Sequence, residues 1–272
     1  MPSMKRPLIT LLTDFGLKDH YVAAMKGVIL GIAPEAQIVD ITHEIGAYGI
    51  AEAAYTLEQA VGCFPEGTVH LVVVDPGVGS SRRAIVAEVG EQTFVAPDNG
   101  VLSRVLRGGG IVREITAMHW FRQPVSSTFH GRDIFAPVAA RLSSGGLGES
   151  REEVGPVIED PVRLEEAEPR EMAPGEWTGV VLKVDGYGNL ITNFEAEHFR
   201  QITSGGFEMR VGPGVIRRAV TRFDEGLSNE PCAILGSARL IEVFVNKGNA
   251  AQLLDVLPGA KVRVKLKSRR WF

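Results

Sequence analysis

Apolar and polar positions follow one rhythm up to about residue 143 and another from about residue 176. Leu8 to Thr13 is a short apolar run ending at Asp14-Phe15-Gly16, the pattern of a buried strand entering a turn. From Tyr21 to Ala33 the apolar residues Tyr21, Met25, Val28, Ile29 and Ile32 share one helical face, and Pro34 stops the helix. Gln37 to Ile41 reads as a second strand, Ile50 to Val61 as a second helix, and Thr68 to Val74 as a strongly β-branched third strand. Strands at Ala84 to Glu88 and Thr93 to Ala96 and a helix from Asp133 to Leu142 extend the series. Alternation of strand and helix predicts an α/β domain with a mostly parallel sheet. In such sheets ligands sit at the carboxyl ends of the strands. Asp14 and Asp75, which follow the first and third strands, are then expected at one crevice.

Residues 143–175 break the pattern with Gly145-Gly146, a charge run from Glu149 to Glu153, and prolines at 156, 161, 169 and 174. This stretch predicts a linker that partly wraps the surface. Beyond it, short runs alternate with glycine turns: Trp177 to Val184, Leu190 to Thr192, Phe207 to Val211, Val215 to Val220, Ala233 to Leu235, Leu240 to Val245 and Lys261 to Leu266. Val211-Gly212-Pro213-Gly214-Val215 has the composition of a hairpin. The second half therefore predicts a small antiparallel β barrel or sandwich. The expected division is a catalytic α/β domain over 1–160, a linker over 161–175 and a β domain over 176–272.

A chain of 272 residues accommodates one large domain or two modest ones. Its 44% apolar and 23% charged residues are ordinary for a globular protein. A net charge of -4 gives no footprint for nucleic acid. Cys63 and Cys232 form neither a disulfide framework nor a zinc pair. The start, Met1 to Pro7, lacks the apolar core of a signal peptide, and no run of about 18 apolar residues suggests a membrane span. The cytoplasm is the expected location.

Several stretches carry candidate chemistry. Asp75-Pro76-Gly77-Val78-Gly79 is a strand end followed by a turn whose glycines allow close backbone approach, with Arg82 seven residues after Asp75. Asp75 is either a turn cap or a ligand-facing carboxylate. The phosphate-loop pattern Gly-x-x-x-x-Gly-Lys is absent. Phe129-His130-Gly131-Arg132-Asp133 precedes a helix, so the helix dipole disfavours an imidazolium at His130. That residue is either a structural cap or a neutral site histidine. Thr13-Asp14-Phe15-Gly16 matches a protein-kinase tripeptide but lacks the accompanying kinase loops. Asp14 is instead suited to accept ribose hydroxyls, or to cap its turn. Asp185-Gly186-Tyr187-Gly188-Asn189 is a turn by composition that also offers a carboxylate, an aromatic face and an amide. Histidines 20, 43, 70, 119 and 198 form no recognisable ligand set, and no metal is expected.

Taken together, these motifs resemble the S-adenosyl-L-methionine (SAM) hydrolases that form adenosine, also called SAM hydroxide adenosyltransferases, which are relatives of fluorinases and chlorinases. The resemblance spans nearly the whole chain. It rests on Thr13 to Gly16 with Asp19, on Val74 to Gly79 with Arg82, and on Pro97-Asp98-Asn99-Gly100. It continues through Phe129 to Asp133, Asp185 to Asn193, and Gly236-Ser237 with Asn246-Lys247-Gly248-Asn249-Ala250.

The resemblance implies an Asp-Arg-His set that positions water or hydroxide, at Asp75, Arg82 and His130. In the halogenases a tyrosine stands at the position of Asp75 and a hydroxylated residue at that of Val78. Fluorinases also carry an extra loop after the region of Ala84 to Ala96. All three differences point to hydrolysis. One departure from the hydrolases is Ser237 followed by Ala238-Arg239, where a more glycine-like strand start is expected. By the same resemblance Asp14 holds the ribose hydroxyls, and Asp19 and Asp185, helped by Ser237, hold the methionine ammonium. Tyr187 stacks on adenine, Asn189 bonds its edge, and backbone near Ala250 and Ala251 closes the pocket. The implied fold is a Rossmann-like N-terminal domain and a C-terminal β barrel. The implied assembly is a homotrimer with substrate between the N-terminal domain of one subunit and the C-terminal domain of its neighbour. No cofactor is implied; SAM is substrate, and adenosine and methionine are products. The other functions left open are a SAM-dependent halogenase, a non-catalytic SAM or nucleoside sensor, and a metal-dependent phosphohydrolase using Asp14, Asp75 and His130.

Overall fold

The strongly β-branched run that ends before Asp75 forms the middle of a six-stranded sheet. The computed structural model describes residues 6–144, 151–165, 168–204 and 206–266. Gly145-Gly146 and the first part of the charge run beginning at Glu149 lie outside them, as do Met1 to Lys5. Contacts divide the chain into two units, with the break between Leu164 and Glu165.

In the first unit β1 (Leu8–Thr13), β2 (Gln37–Thr42), β3 (Val69–Val73), β4 (Ala84–Val89), β5 (Gln92–Pro97) and β6 (Ile111–Glu114) form a mixed sheet of order β2-β1-β3-β5-β4-β6. The pairs β1–β2, β1–β3 and β3–β5 are parallel, whereas β4 is antiparallel to both β5 and β6. Every residue of β3 is buried, as expected of a parallel strand covered on both faces. Its alternate side chains feed two cores. Val69, Leu71 and Val73 pack with Met25, Ile29, Phe135 and Val138, while Val72 and Val74 pack with Ala53, Leu57 and Phe94. The helices involved are α1 (Tyr21–Ile32), α2 (Ile50–Val61) and α3 (Ala136–Ser144).

Two local expectations are corrected. Tyr21 is not part of the buried face of α1; Val22, Met25 and Ile29 are, because Tyr21 opens the helix and turns its ring onto Phe15 and Phe129 instead. The helix expected from Asp133 begins as a π turn, Gly131–Phe135, that leads into α3. Pro137 has no N–H to give the Asp133 carbonyl, and that oxygen accepts the Arg122 N–H at 2.9 Å instead. The stretch read as a linker that partly wraps the surface is bonded to the first unit in its first part. Ile158 N–H bonds Val112 O, Val162 N–H bonds the Asp98 carboxylate and Leu164 N–H bonds the Ser103 hydroxyl, so 156–164 is strapped to the first unit.

In the second unit β7 (Arg170–Ala173), β8 (Glu176–Val184), β9 (Leu190–Glu195), β10 (Phe207–Val211), β11 (Gly214–Ile216), β12 (Ala219–Val220), β13 (Pro231–Leu235), β14 (Leu240–Val245) and β15 (Lys261–Leu266) make one nine-stranded sheet. Its path is β11-β10-β15-β8-β9-β14-β13-β12, with β7 paired to β8. Packing of β11, at one end of the path, against β13, near the other, curls the sheet. The expected hairpin at Val211–Val215 is present. The single run expected over Val215 to Val220 is divided, because β11 pairs with β10 whereas β12 crosses to β13, to which it is parallel. Short helices α4 (Arg200–Thr203) and α5 (Ala250–Leu254) complete the unit.

Candidate active site

The parallel register sets Thr13 beside Val73, so Asp14 and Asp75 leave neighbouring strands at the same end of the sheet. Asp14 Oδ2 accepts the Tyr48 N–H at 3.0 Å, which fastens the loop before α2 to the end of β1. Tyr48 has φ of 64° and is largely exposed. Asp19 is exposed in the turn before α1.

Asp75, Arg82 and His130 meet although 48 residues separate the last two. Arg82 Nε donates to both Asp75 oxygens, at 2.9 and 3.1 Å, and its Nη2 donates to Oδ2 as well. The same Nη2 lies 2.9 Å from His130 Nδ1. A guanidinium has only donors, so Nδ1 accepts, and the proton of a neutral His130 sits on Nε2. Burial and then the Arg82 charge push the His130 pKa below its ordinary value, against the opposing pull of Asp75 and Asp133. The Asp75 and Arg82 side chains are only 4% and 11% exposed, which strengthens their attraction. Arg82 also lies over the Phe135 ring, 5.0 Å from its centroid.

Local packing explains why these side chains converge. Asn99 Nδ2 donates to Val74 O at 2.8 Å and anchors the strand end before Asp75. Gly79 has φ of 78°, and a Cβ there would stand 2.3 Å from Ser127 O. Only glycine lets the loop after Asp75 lie this close to the segment leading to His130. Phe129 and Gly131 pack on Phe15 and Met25, tying His130 to the loop after β1 and to α1. Asp133, fully buried, accepts from Arg132, Arg122 and the Ser126 amide; burial raises its pKa, but these bonds outweigh it and hold the carboxyl low.

The second unit gathers the other candidates. Asp185 Oδ1 accepts the Tyr187 and Asn189 amides, and Oδ2 accepts Asn189 Nδ2, each at 2.9 Å. Asp185 is thus a turn cap with about one acceptor position of its four still open. Asn189 is buried, whereas Tyr187 is 82% exposed. Gly188 abuts Asn249, and the Ala251 N–H bonds Gly188 O at 2.9 Å, so the turn and the start of α5 bring Tyr187, Asn189, Ala250 and Ala251 together. Ser237 is exposed in the turn between β13 and β14. The glycine-like position there is Arg239, with φ of 61°, whose N–H bonds Gly236 O. A non-glycine residue thus takes the left-handed conformation at a cost of about 1 kcal/mol.

Sequence reasoning missed three contributors: Tyr48, the Gly79–Ser127 contact and the anchoring role of Asn99. Among the described residues no group of three or more His, Cys, Asp or Glu is placed to hold a metal ion.

Residues 9–153 match the SAM hydroxide adenosyltransferase N-terminal domain, and residues 179–263 match the corresponding C-terminal domain. The (R)-S-adenosyl-L-methionine hydrolase of Salinispora tropica is 39% identical over 95% of this chain and 97% of its own length. The crystal structure of an uncharacterized conserved protein from Thermotoga maritima superimposes with a TM-score of 0.86, at 39% identity over 94% of this chain and 99% of that one. A fluorinase from Nocardia brasiliensis is more distant, 26% identical over 96% of this chain and 98% of its own. With Asp75, Arg82 and His130 assembled at one sheet end and both domain matches in order along it, the chain belongs to the SAM hydroxide adenosyltransferase family.

Proposed function

We propose that this protein hydrolyses SAM to adenosine and L-methionine by in-line attack of water on the 5′ carbon. The observation that carries this reading is the Asp75–Arg82–His130 cluster, with a carboxylate where the halogenases have a tyrosine. The C5′–S bond breaks as the C5′–O bond forms, and methionine departs as a neutral thioether. One proton of the attacking water is released. Such a reaction asks the protein for alignment and an active nucleophile. Arg82 fixes Asp75, whose remaining acceptor capacity orients the water, and His130 Nε2–H is the donor left to steady the developing hydroxide. No cofactor enters this chemistry.

By resemblance to the family we assign Asp14 to the ribose, Asp19, Asp185 and Ser237 to the methionine end, and Tyr187, Asn189 and backbone at Ala250 and Ala251 to adenine. On this reading residues 1–160 are a Rossmann-like catalytic domain and residues 176–272 a β-barrel domain for recognition. We extend the family's homotrimer to this chain, with each substrate between two subunits. The exposure of Tyr48 and Tyr187 supports it, because aromatic side chains this open suit an interface. No described helix is long and apolar enough to cross a membrane, and the proposed location is the cytoplasm.

Mass spectrometry of SAM incubated in oxygen-18 water tests the reaction, with both sulfonium epimers supplied. Label in adenosine supports attack at the 5′ carbon; unlabelled adenosine, a 5′-halo product with added halide, or intact SAM overturns it. The pH profile tests His130. Its Nδ1 must accept from Arg82, so the neutral form is the active one. Because the His130 pKa of the free protein is depressed, kcat/KM should show no His130 limb as pH falls to the ordinary histidine value of 6.5, and should decline through that group only below it. A His130-dependent acid limb of kcat/KM centred above that value would contradict the assignment.

A further inference from the structure

Asp98, in the stretch Pro97-Asp98-Asn99-Gly100, has no task in the mechanism above, although its side chain is only 2% exposed. Its bonds are directed to one neighbour above all. Oδ2 accepts Arg83 Nε at 2.8 Å and lies 2.7 Å from Arg83 Nη2, and the Asp98 N–H donates to Arg83 O at 2.9 Å. Oδ1 accepts the Val162 N–H at 2.8 Å. Arg83 is thus gripped through side chain and backbone at once. It also reaches outward, where Nη1 donates to Asp160 Oδ1 and Nη2 to Asp160 O, each at 2.8 Å. Asp160 is largely exposed, so water weakens that outer pair, whereas the pair with Asp98 is shielded.

The place of this pair in the chain gives it a consequence for the site. Arg83 directly follows Arg82, and Asn99, which directly follows Asp98, holds the carbonyl of Val74, directly before Asp75. Asp98 and Asn99 together therefore fasten both ends of the loop 75–82, one beyond Arg82 and the other ahead of Asp75. The loop itself is held by short-range turns, Val78 N–H to Asp75 O and Ser80 N–H to Gly77 O, and contains Gly77 and Gly79, which stiffen it little. Arg82 has to meet Asp75 and His130 with the same Nη2, a task that tolerates little displacement. Resting on the reading above, we propose that Asp98, acting through Arg83, is a positioning residue for the Asp75–Arg82 pair. It is given no contact with substrate. Its effect on the reaction passes through where Arg82 stands.

Asp98→Asn tests this, because it keeps the shape and an acceptor for Val162 but weakens the charged grip on Arg83. It should lower kcat by about tenfold, with KM for SAM within about threefold of the unaltered value. The same substitution made in the Arg82→Ala background should change the residual turnover by less than about twofold, since the side chain it positions is gone. A residue that served folding alone would act equally in both backgrounds. Rates are taken in conditions where circular dichroism shows each variant folded. An unaltered kcat in Asp98→Asn, a rise in KM in place of the fall in kcat, or a tenfold loss that persists without Arg82 overturns the inference and leaves SAM hydrolysis standing. Failure of the unaltered protein to consume SAM overturns the reading on which it rests, and the inference with it. If Asp98→Asn does not fold, Arg83→Lys, which keeps the charge but loses the planar fork, is judged by the same criteria.

Discussion

Asp75→Ala is expected to lower kcat by about a hundredfold or more, with KM for SAM within about threefold of the unaltered value. The carboxylate it removes is nearly inaccessible and is engaged at both oxygens by Arg82. Its loss leaves Arg82 without the partner that orients it and leaves the water without its acceptor. The ribose, adenine and methionine contacts proposed here use other residues, so binding should persist. Steady-state kinetics with methionine release as readout checks this, and turnover near the unaltered rate would remove Asp75 from the mechanism.

Arg82→Ala should cost both activity and stability. It strips three hydrogen bonds from a carboxylate that is 4% exposed, and an unpaired buried charge costs about 3–5 kcal/mol. The pair itself contributes much less than that, because its attraction is offset by desolvation of both groups. The double variant Asp75→Ala with Arg82→Ala should therefore be more stable than Arg82→Ala alone. Urea denaturation of the single and double variants measures this coupling. Turnover should be as low in Arg82→Ala as in Asp75→Ala, and the two losses should not add, since the residues act as one unit. A stability loss below about 1 kcal/mol in Arg82→Ala would mean that water, not Arg82, keeps Asp75 satisfied.

Much of the fold was legible along the chain. Unbroken apolar runs such as Val69–Val73 mark strands covered on both faces, and the glycine and proline at 212–214 mark a hairpin, because both depend on neighbours in sequence. The elements misread are those set by distant partners. The split of Val215 to Val220 depends on which strand each half pairs with. Tyr21 obeys the helical period yet faces the rings of Phe15 and Phe129, which no periodicity reveals.

The candidate site divides along the same line. Local order determined the residue types: a carboxylate after a β-branched strand, a glycine-rich turn, and a histidine ahead of a helix. Those motifs also sufficed to place the chain in its family. Only the tertiary structure decided that Arg82 is shared between Asp75 and His130, which in turn assigns the histidine proton to Nε2. It also showed that Asp185 is largely consumed by its own turn. The physical reason is that a hydrogen-bond partner or a desolvated charge is defined by groups that meet in space. Asp75 and Arg82 lie in one stretch of chain, but His130, 48 residues beyond Arg82, meets them only in the folded unit.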